Sequence, residues 1–271
     1  MLTLILRSLQ RIKMLTIVVS AILTVFQLAI VAYATGLESH HRFDQLEGLI
    51  PEFVRTAFGA ALMSFKGMAT LGFVEPLIVM MIVQFAIYVA AEPAYEVETG
   101  LVDLIMARAL PRHRLVTRSL IVMTAASVYL PSVLAISLWG SLAWLADPGA
   151  ARPSTHVVWS LTGHLATVTW CFGSIALAAG AWAERRGTAQ SLVGVMAVGL
   201  YLVDVVAQAW SKVAWTGWVS PFHYYDGPGI INGATHPARD LSVMLGIGVV
   251  GIAFWTARSA GSVHINYGYG P

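Results

Sequence analysis

The chain has 271 residues, 57% of them apolar and only 11% charged, with a formal net charge of +2. A soluble domain carries about a quarter of its residues as Asp, Glu, Lys or Arg, so this composition excludes one and predicts an integral membrane protein. The small net charge, with no basic stripe interleaved with aromatics, excludes a nucleic-acid-binding module, and the continuous apolar runs exclude a transmembrane barrel, whose segments alternate over about ten residues.

Helices are what remains, because every backbone polar group in hydrocarbon must be paired within its own segment. The first element is an amphipathic segment over residues 1–13. Leu2, Ile5, Leu6, Leu9 and Ile12 share one helical face, and Thr3, Arg7, Gln10 and Arg11 share the other, the pattern of a helix lying on the membrane surface. A first span follows over 14–34. Ala32-Tyr33-Ala34 resembles a signal cleavage site, but the apolar stretch exceeds the roughly 7–15 residues of a signal core, which predicts an uncleaved anchor. Beyond it, Leu46, Leu49, Ile50, Phe53, Val54, Ala57, Phe58 and Leu62 repeat at helical period and predict a second interfacial helix on the opposite side.

The second span covers 75–91. Glu75-Pro76 opens it, with proline where no amide hydrogen is needed and a carboxylate near the orphan amides; substrate binding is the alternative role for Glu75. The third span, 119–145, contains Pro131, which predicts a kink. Asp147-Pro148-Gly149 is a turn before the fourth span, 157–183, in which the single cysteine, Cys171, reads as a small core hydrophobe. The fifth span covers 188–209 and the sixth 241–257. Between them the connection 210–240 is rich in Gly, Pro and aromatics. Trp210, Trp215, Trp218, Tyr224 and Tyr225 suit a membrane-interface belt, and the segment is a candidate for re-entry into the bilayer. The tail 259–271 is polar and aromatic and is expected to be loosely ordered. The whole chain, 1–271, reads as one membrane domain.

Six spans put both termini on one side. Of the 16 lysines and arginines, Arg7, Arg11, Lys13, Arg108, Arg112, Arg114, Arg118, Arg185, Arg186 and Arg258 fall on that side, and the remaining six, Arg42, Arg55, Lys66, Arg152, Lys212 and Arg239, on the other. This bias places both termini in the cytoplasm.

Few motifs carry chemistry. Gly246-Ile247-Gly248-Val249-Val250-Gly251 matches the letters of a dinucleotide fingerprint, but it sits in an apolar run with no preceding strand, and its glycines fit close helix packing. None of the three lysines, Lys13, Lys66 and Lys212, stands in a phosphate loop, so the chain does not itself hydrolyse a nucleotide by that route. His40-His41 with Asp44 reads as a solvated loop, with weak metal binding the alternative. His164, in the fourth span, is expected to be a packed polar residue bonded to a neighbouring helix. Asp204 lies in the outer third of the fifth span, either near the interface or as a pathway-lining acid, because a carboxylate in hydrocarbon costs on the order of 3 kcal/mol and seeks a cavity or partner. His164 and Asp204 are the candidate pathway residues.

The densest charge lies over 92–118, with Glu92, Glu96, Glu98, Asp103, Arg108, Arg112, Arg114 and Arg118. Gly100 breaks a helix, Leu101, Leu104 and Ile105 form a short amphipathic turn, and Pro111 stops it before the third span. The expectation is a small transverse helix at the cytoplasmic face that docks another protein. In this region the chain resembles the type-2 ABC transporter permeases, six-span exporter subunits. Glu96 or Glu98, Gly100, Leu104, Pro111 and Arg114 match the family's acidic, Gly-Thr, leucine and Pro-x-x-Arg pattern between the second and third spans, although here Thr99 precedes Gly100. Ser220-Pro221-Phe222 with Gly233 matches a second family element before the last span.

The resemblance implies a permease subunit of an ATP-driven exporter in a bacterial plasma membrane. The N-terminal surface helix and the 92–118 segment would form the coupling surface for a separate ATP-binding subunit, with Glu96, Glu98, Gly100, Asp103, Leu104, Arg108, Pro111, Arg112 and Arg114 as its docking residues. A second permease copy, identical or homologous, would complete the path. ATP and magnesium would belong to the partner subunit, with no cofactor or metal in this chain. The rival readings are an ion-coupled transporter or channel using Asp204 and His164, and an intramembrane enzyme or assembly factor.

Overall fold

The structure is a computed structural model that describes residues 2–39, 64–99, 113–183, 185–233 and 237–261. The described residues form helices and turns, with no β-strand: α1 (Leu2–Ser39), α2 (Phe65–Ala69), α3 (Leu71–Val74), α4 (Pro76–Ala90), α5 (Glu92–Glu98), α6 (His113–Leu145), α7 (Thr155–Gly180), α8 (Arg186–Ala209), two 3-10 helices (Ser211–Val219 and Pro221–Tyr224), α9 (Gly227–Asn232) and α10 (Pro237–Gly261). Among the described residues, six stretches are long and apolar enough to cross a membrane: α1, α4 continuing into α5, α6, α7, α8 and α10. The chain is an all-α multi-pass membrane protein. We call the end of the bundle that carries the termini the inner face and the opposite end the outer face, after the lysine and arginine bias.

The first helix departs from the expected division into a surface helix and a span. No proline or glycine occurs between Leu2 and Thr35, and α1 runs unbroken for 38 residues. At 1.5 Å per residue that is about 57 Å, well beyond the roughly 30 Å of hydrocarbon. The amphipathic 1–13 segment is therefore the inner end of the span's own helix from Leu2 onward, with Ile12 buried and Arg7 and Arg11 exposed. The outer interfacial helix expected over 46–62 lies outside the described residues, as do His40, His41 and Asp44.

Helix α7 is the hub, packing against α4, α6, α8 and α10, while α1 packs on α6 and on the short α2 and α3. Val158, Leu161, Leu165, Val168 and Phe172 are fully buried along it. The outer faces of the peripheral helices are just as apolar: Val25, Leu192, Val195 and Val250 stay exposed. Apolar residues all round a helix are what a bilayer solvent permits, and this explains why the spans read as continuous runs instead of a 3.6-residue period. Hydroxyls inside the bundle bond back to their own helix, as Thr162 does to Val158 O at 2.7 Å and Thr169 to Leu165 O at 2.6 Å. Gln27 Nε2 donates to Ala69 O at 2.8 Å and ties α1 to α2. Cys171 is fully buried, and Pro131 lies inside α6, which continues through it.

Glu75 occupies the N-cap position of α4 with Pro76 behind it, yet its side chain makes no capping hydrogen bond. The expected dipole role thus reduces to position. At the outer face Asp147-Pro148-Gly149 turns the chain as predicted, with Ala150 N donating to Asp147 O at 3.1 Å. The described part of 210–240 forms a cap of short helices on the outer ends of α7, α8 and α10. Ser220 opens the second 3-10 helix by accepting from Phe222 N at 3.1 Å, Asp226 opens α9 by accepting from Gly229 N at 2.9 Å, and Gly233, with φ of 74°, ends α9 in the left-handed region where glycine is least strained. Trp210, Trp215 and Trp218 face outward as the aromatic belt requires. The two tyrosines do not join them: Tyr224 Oη donates to Trp218 O at 3.2 Å and Tyr225 Oη to Phe73 O, pinning the cap to itself and to α3. Burial pushes the Tyr225 hydroxyl well above its ordinary value, so it stays a donor.

Candidate functional site: a charged node at the inner face

Pro93 has no amide hydrogen with which to continue α4, and the chain turns at Ala91 into the short α5. Glu92 and Glu96, four residues apart, share one face of α5; Tyr95 and Glu98, three apart, share the next. Each face meets a different helix. Glu92 Oε1 lies 3.7 Å from Arg11 Nη1 of α1, a partly exposed pair. Glu96 accepts two parallel hydrogen bonds from Arg118 of α6, Nη1 to Oε1 and Nη2 to Oε2, both at 2.8 Å. Both side chains of this pair are at most 5% exposed. Glu98 Oε2 accepts from the backbone N of Arg186 at 3.0 Å and so caps the start of α8 from another helix.

Arg186 completes the node. Its Nη2 donates to Tyr88 O at 3.1 Å, and its guanidinium stacks 4.0 Å from the Tyr88 ring centroid. The Tyr95 ring sits between two cations, Arg186 and Arg11, each 5.5 Å from its centroid. Thr99 closes the last turn of α5 with its Oγ1 on Tyr95 O at 2.9 Å. Helix α5 is therefore fastened to α1, α6 and α8 by separate charged contacts, and it continues directly toward residue 100. A displacement of α5 along the membrane face breaks or drags all three. The Nε atoms of Arg118 and Arg186 are buried without a hydrogen-bond partner.

Of the docking residues expected from sequence, Glu96 and Glu98 stand in this node. Arg114 lies in the first turns of α6. Gly100, Asp103, Leu104, Arg108, Pro111 and Arg112 lie outside the described residues. The roles differ from those expected: Glu96 is locked inside the protein by Arg118, which removes it from the surface a partner would touch, while Glu98 remains exposed. Arg11, Tyr88, Tyr95 and Arg186 belong to the node without having been singled out. Their partners are distant in sequence, and no spacing in the sequence points from one to the other.

The pathway candidates do not meet. His164 is buried, and its Nδ1 lies 2.8 Å from Ser160 O, one turn back in its own helix, so the expected bond to a neighbouring helix is not made. Its Nε2 is buried without a partner. Asp204 is also buried, but under the outer cap, where Gln208 Nε2 donates to its Oδ2 at 2.7 Å and His223 Nδ1 lies 3.4 Å from its Oδ1. Around them Phe222 stacks on Phe172 at 5.0 Å and meets Tyr201 edge-on at 5.5 Å. Nothing in the sequence spacing joins Asp204 to His223 rather than to His164; the cap folding back over α8 does. Comparison with protein-family models, curated proteins and solved structures finds no match for this chain.

Proposed function

We propose that the chain is the membrane-spanning permease subunit of an ATP-driven exporter of the type-2 ABC class, paired with a second permease copy and a separate ATP-binding subunit. The observation that carries this reading is the node: α5, immediately before the 100–112 segment, is fastened to α1 through Arg11, to α6 through Arg118 and to α8 through Arg186. A partner that pushes on the inner-face segment after α5 would thereby act on three membrane helices at once. Such a push shifts the bundle between two states only through unequal contacts in each, and exposed Glu98 and the Arg11–Glu92 pair are contacts able to differ. The six-span helical bundle and the residues shared with the permease pattern support the same reading.

The test is a mild-detergent purification of the tagged chain from its native host, with mass spectrometry of what accompanies it and an ATPase assay. A stoichiometric subunit bearing a phosphate loop, lost on replacing residues of the 92–118 segment, is the expected result. A chain that purifies alone and without ATPase activity defeats the reading. It would favour the second, an ion-coupled transporter, which draws on Asp204 buried beneath the cap beside His223.

A further inference from the structure

The Asp204 side chain is 5% exposed, in the last turns of α8; of its two partners, Gln208 is exposed and the His223 side chain is 35% exposed. Among the described residues no lysine or arginine pairs with Asp204. Its second oxygen holds Gln208, a neutral donor. Other titratable or charged groups nearby are Asp226 before α9, Tyr201 on α8, Glu75 at the start of α4 and Tyr224 against the His223 ring. Of the cations on the packed elements, Arg239 lies over the Trp218 ring at 4.7 Å and Lys212 is exposed.

An apolar, water-poor site favours a pair with no net charge. Ionised Asp204 beside neutral imidazole carries one negative charge. Neutrality takes one additional proton, and because Asp204 is the buried member of the pair its carboxyl holds it, as the acid facing neutral imidazole. Asp204 Oδ1 is buried without a hydrogen-bond partner, with His223 Nδ1 3.4 Å away, and Gly217 leaves room for that approach, since a Cβ there would come 3.0 Å from His223 Nδ1 and 3.2 Å from the Ala207 Cβ. We propose that Asp204 and His223 form a binding site for a single proton under the outer cap. Because His223 belongs to the cap and Asp204 to α8, the bound proton also holds the cap down on the span. The site stands apart from the inner-face node, and its proton is read directly whichever transport reading holds.

The full chain in lipid nanodiscs is titrated by infrared difference spectroscopy, following the carbonyl stretch of protonated carboxyls. The expected result is one band that is absent from Asp204→Asn and whose midpoint moves by about one pH unit, a tenfold change in proton affinity, in His223→Gln. An unchanged spectrum in Asp204→Asn, an unmoved midpoint in His223→Gln, or a band lost instead from Asp226→Asn or Glu75→Gln overturns the proposal. If a variant does not insert, acylation of His223 in the wild-type chain with diethyl pyrocarbonate, mapped by peptide mass, replaces it. The band then moves by the same amount, and an unmoved band overturns the proposal equally.

Discussion

Arg118 of α6 and Glu96 of α5 are joined by two hydrogen bonds of 2.8 Å with their side chains 3% and 5% exposed. A buried pair of this kind is strongly destabilising to break from one side, by about 3–5 kcal/mol, because the remaining charge is left uncompensated; replacing both partners by apolar residues is often close to neutral. Arg118→Met alone is expected to lose most of the folded protein in a thermal series read by gel filtration in detergent. Arg118→Met with Glu96→Leu is expected to recover most of that loss. A double variant as unstable as the single one would contradict this account of the pair.

Tyr95 stands between the guanidinium groups of Arg11 and Arg186. Cation–π contacts at partly exposed sites contribute about 0.5–1 kcal/mol each, and they depend on the ring rather than on the hydroxyl. Tyr95→Phe is therefore expected to match the wild type, and Tyr95→Leu to lose about 1–2 kcal/mol in the same thermal series. Equal behaviour of the two substitutions would show that the ring face contributes nothing.

Glu98 caps α8 through Arg186 N and stays exposed, so it is the acidic residue of α5 that a partner can reach. Its loss removes one charge-assisted hydrogen bond at a helix start, worth about 1 kcal/mol, too little to prevent folding. Glu98→Ala combined with Arg114→Ala is expected to leave membrane insertion intact while ATP hydrolysis proceeds without transport. Reconstituted vesicles that hydrolyse and transport normally with this double variant would remove the docking role.

The six spans were legible because burial in lipid demands about 20 apolar residues in a row, and that signal needs no partner. The polar and apolar faces of the N-terminal segment alternate as a separate surface helix requires, yet helix continuity is decided by what would break it, and no proline or glycine does so before Gly36. Glu96 was legible as important but not as internal, since its partner Arg118 stands 22 residues away on a different helix. Asp204 was legible as costly; His223 was not legible as its partner, because a histidine in an aromatic connection carries no spacing that points to a carboxylate one cap away. Periodicity reports which face is apolar. It is silent on which distant charge closes upon which.

The glycines of α10 give a last prediction in which neighbouring positions differ in sign. A Cβ at Gly251 would stand 3.1 Å from the backbone C and O of Ser174 in α7, atoms that cannot swing aside, and one at Gly248 would enter the Trp170 ring, 2.7 Å from its Cε3 atom. At Gly246 nothing lies within 4 Å. Close packing of α10 on α7 thus uses the second and third glycines and not the first. Gly251→Val is expected to push the helices apart and cost about 1–3 kcal/mol, the usual range for overpacking, whereas Gly246→Ala is expected to be neutral or to stabilise by up to about 1 kcal/mol through helix propensity. A nucleotide-binding turn would order them otherwise, since there the first glycine is the one that makes the tight turn. Thermal midpoints of the two variants in one detergent decide between these orders: a Gly246→Ala loss equal to that of Gly251→Val would refute the packing role.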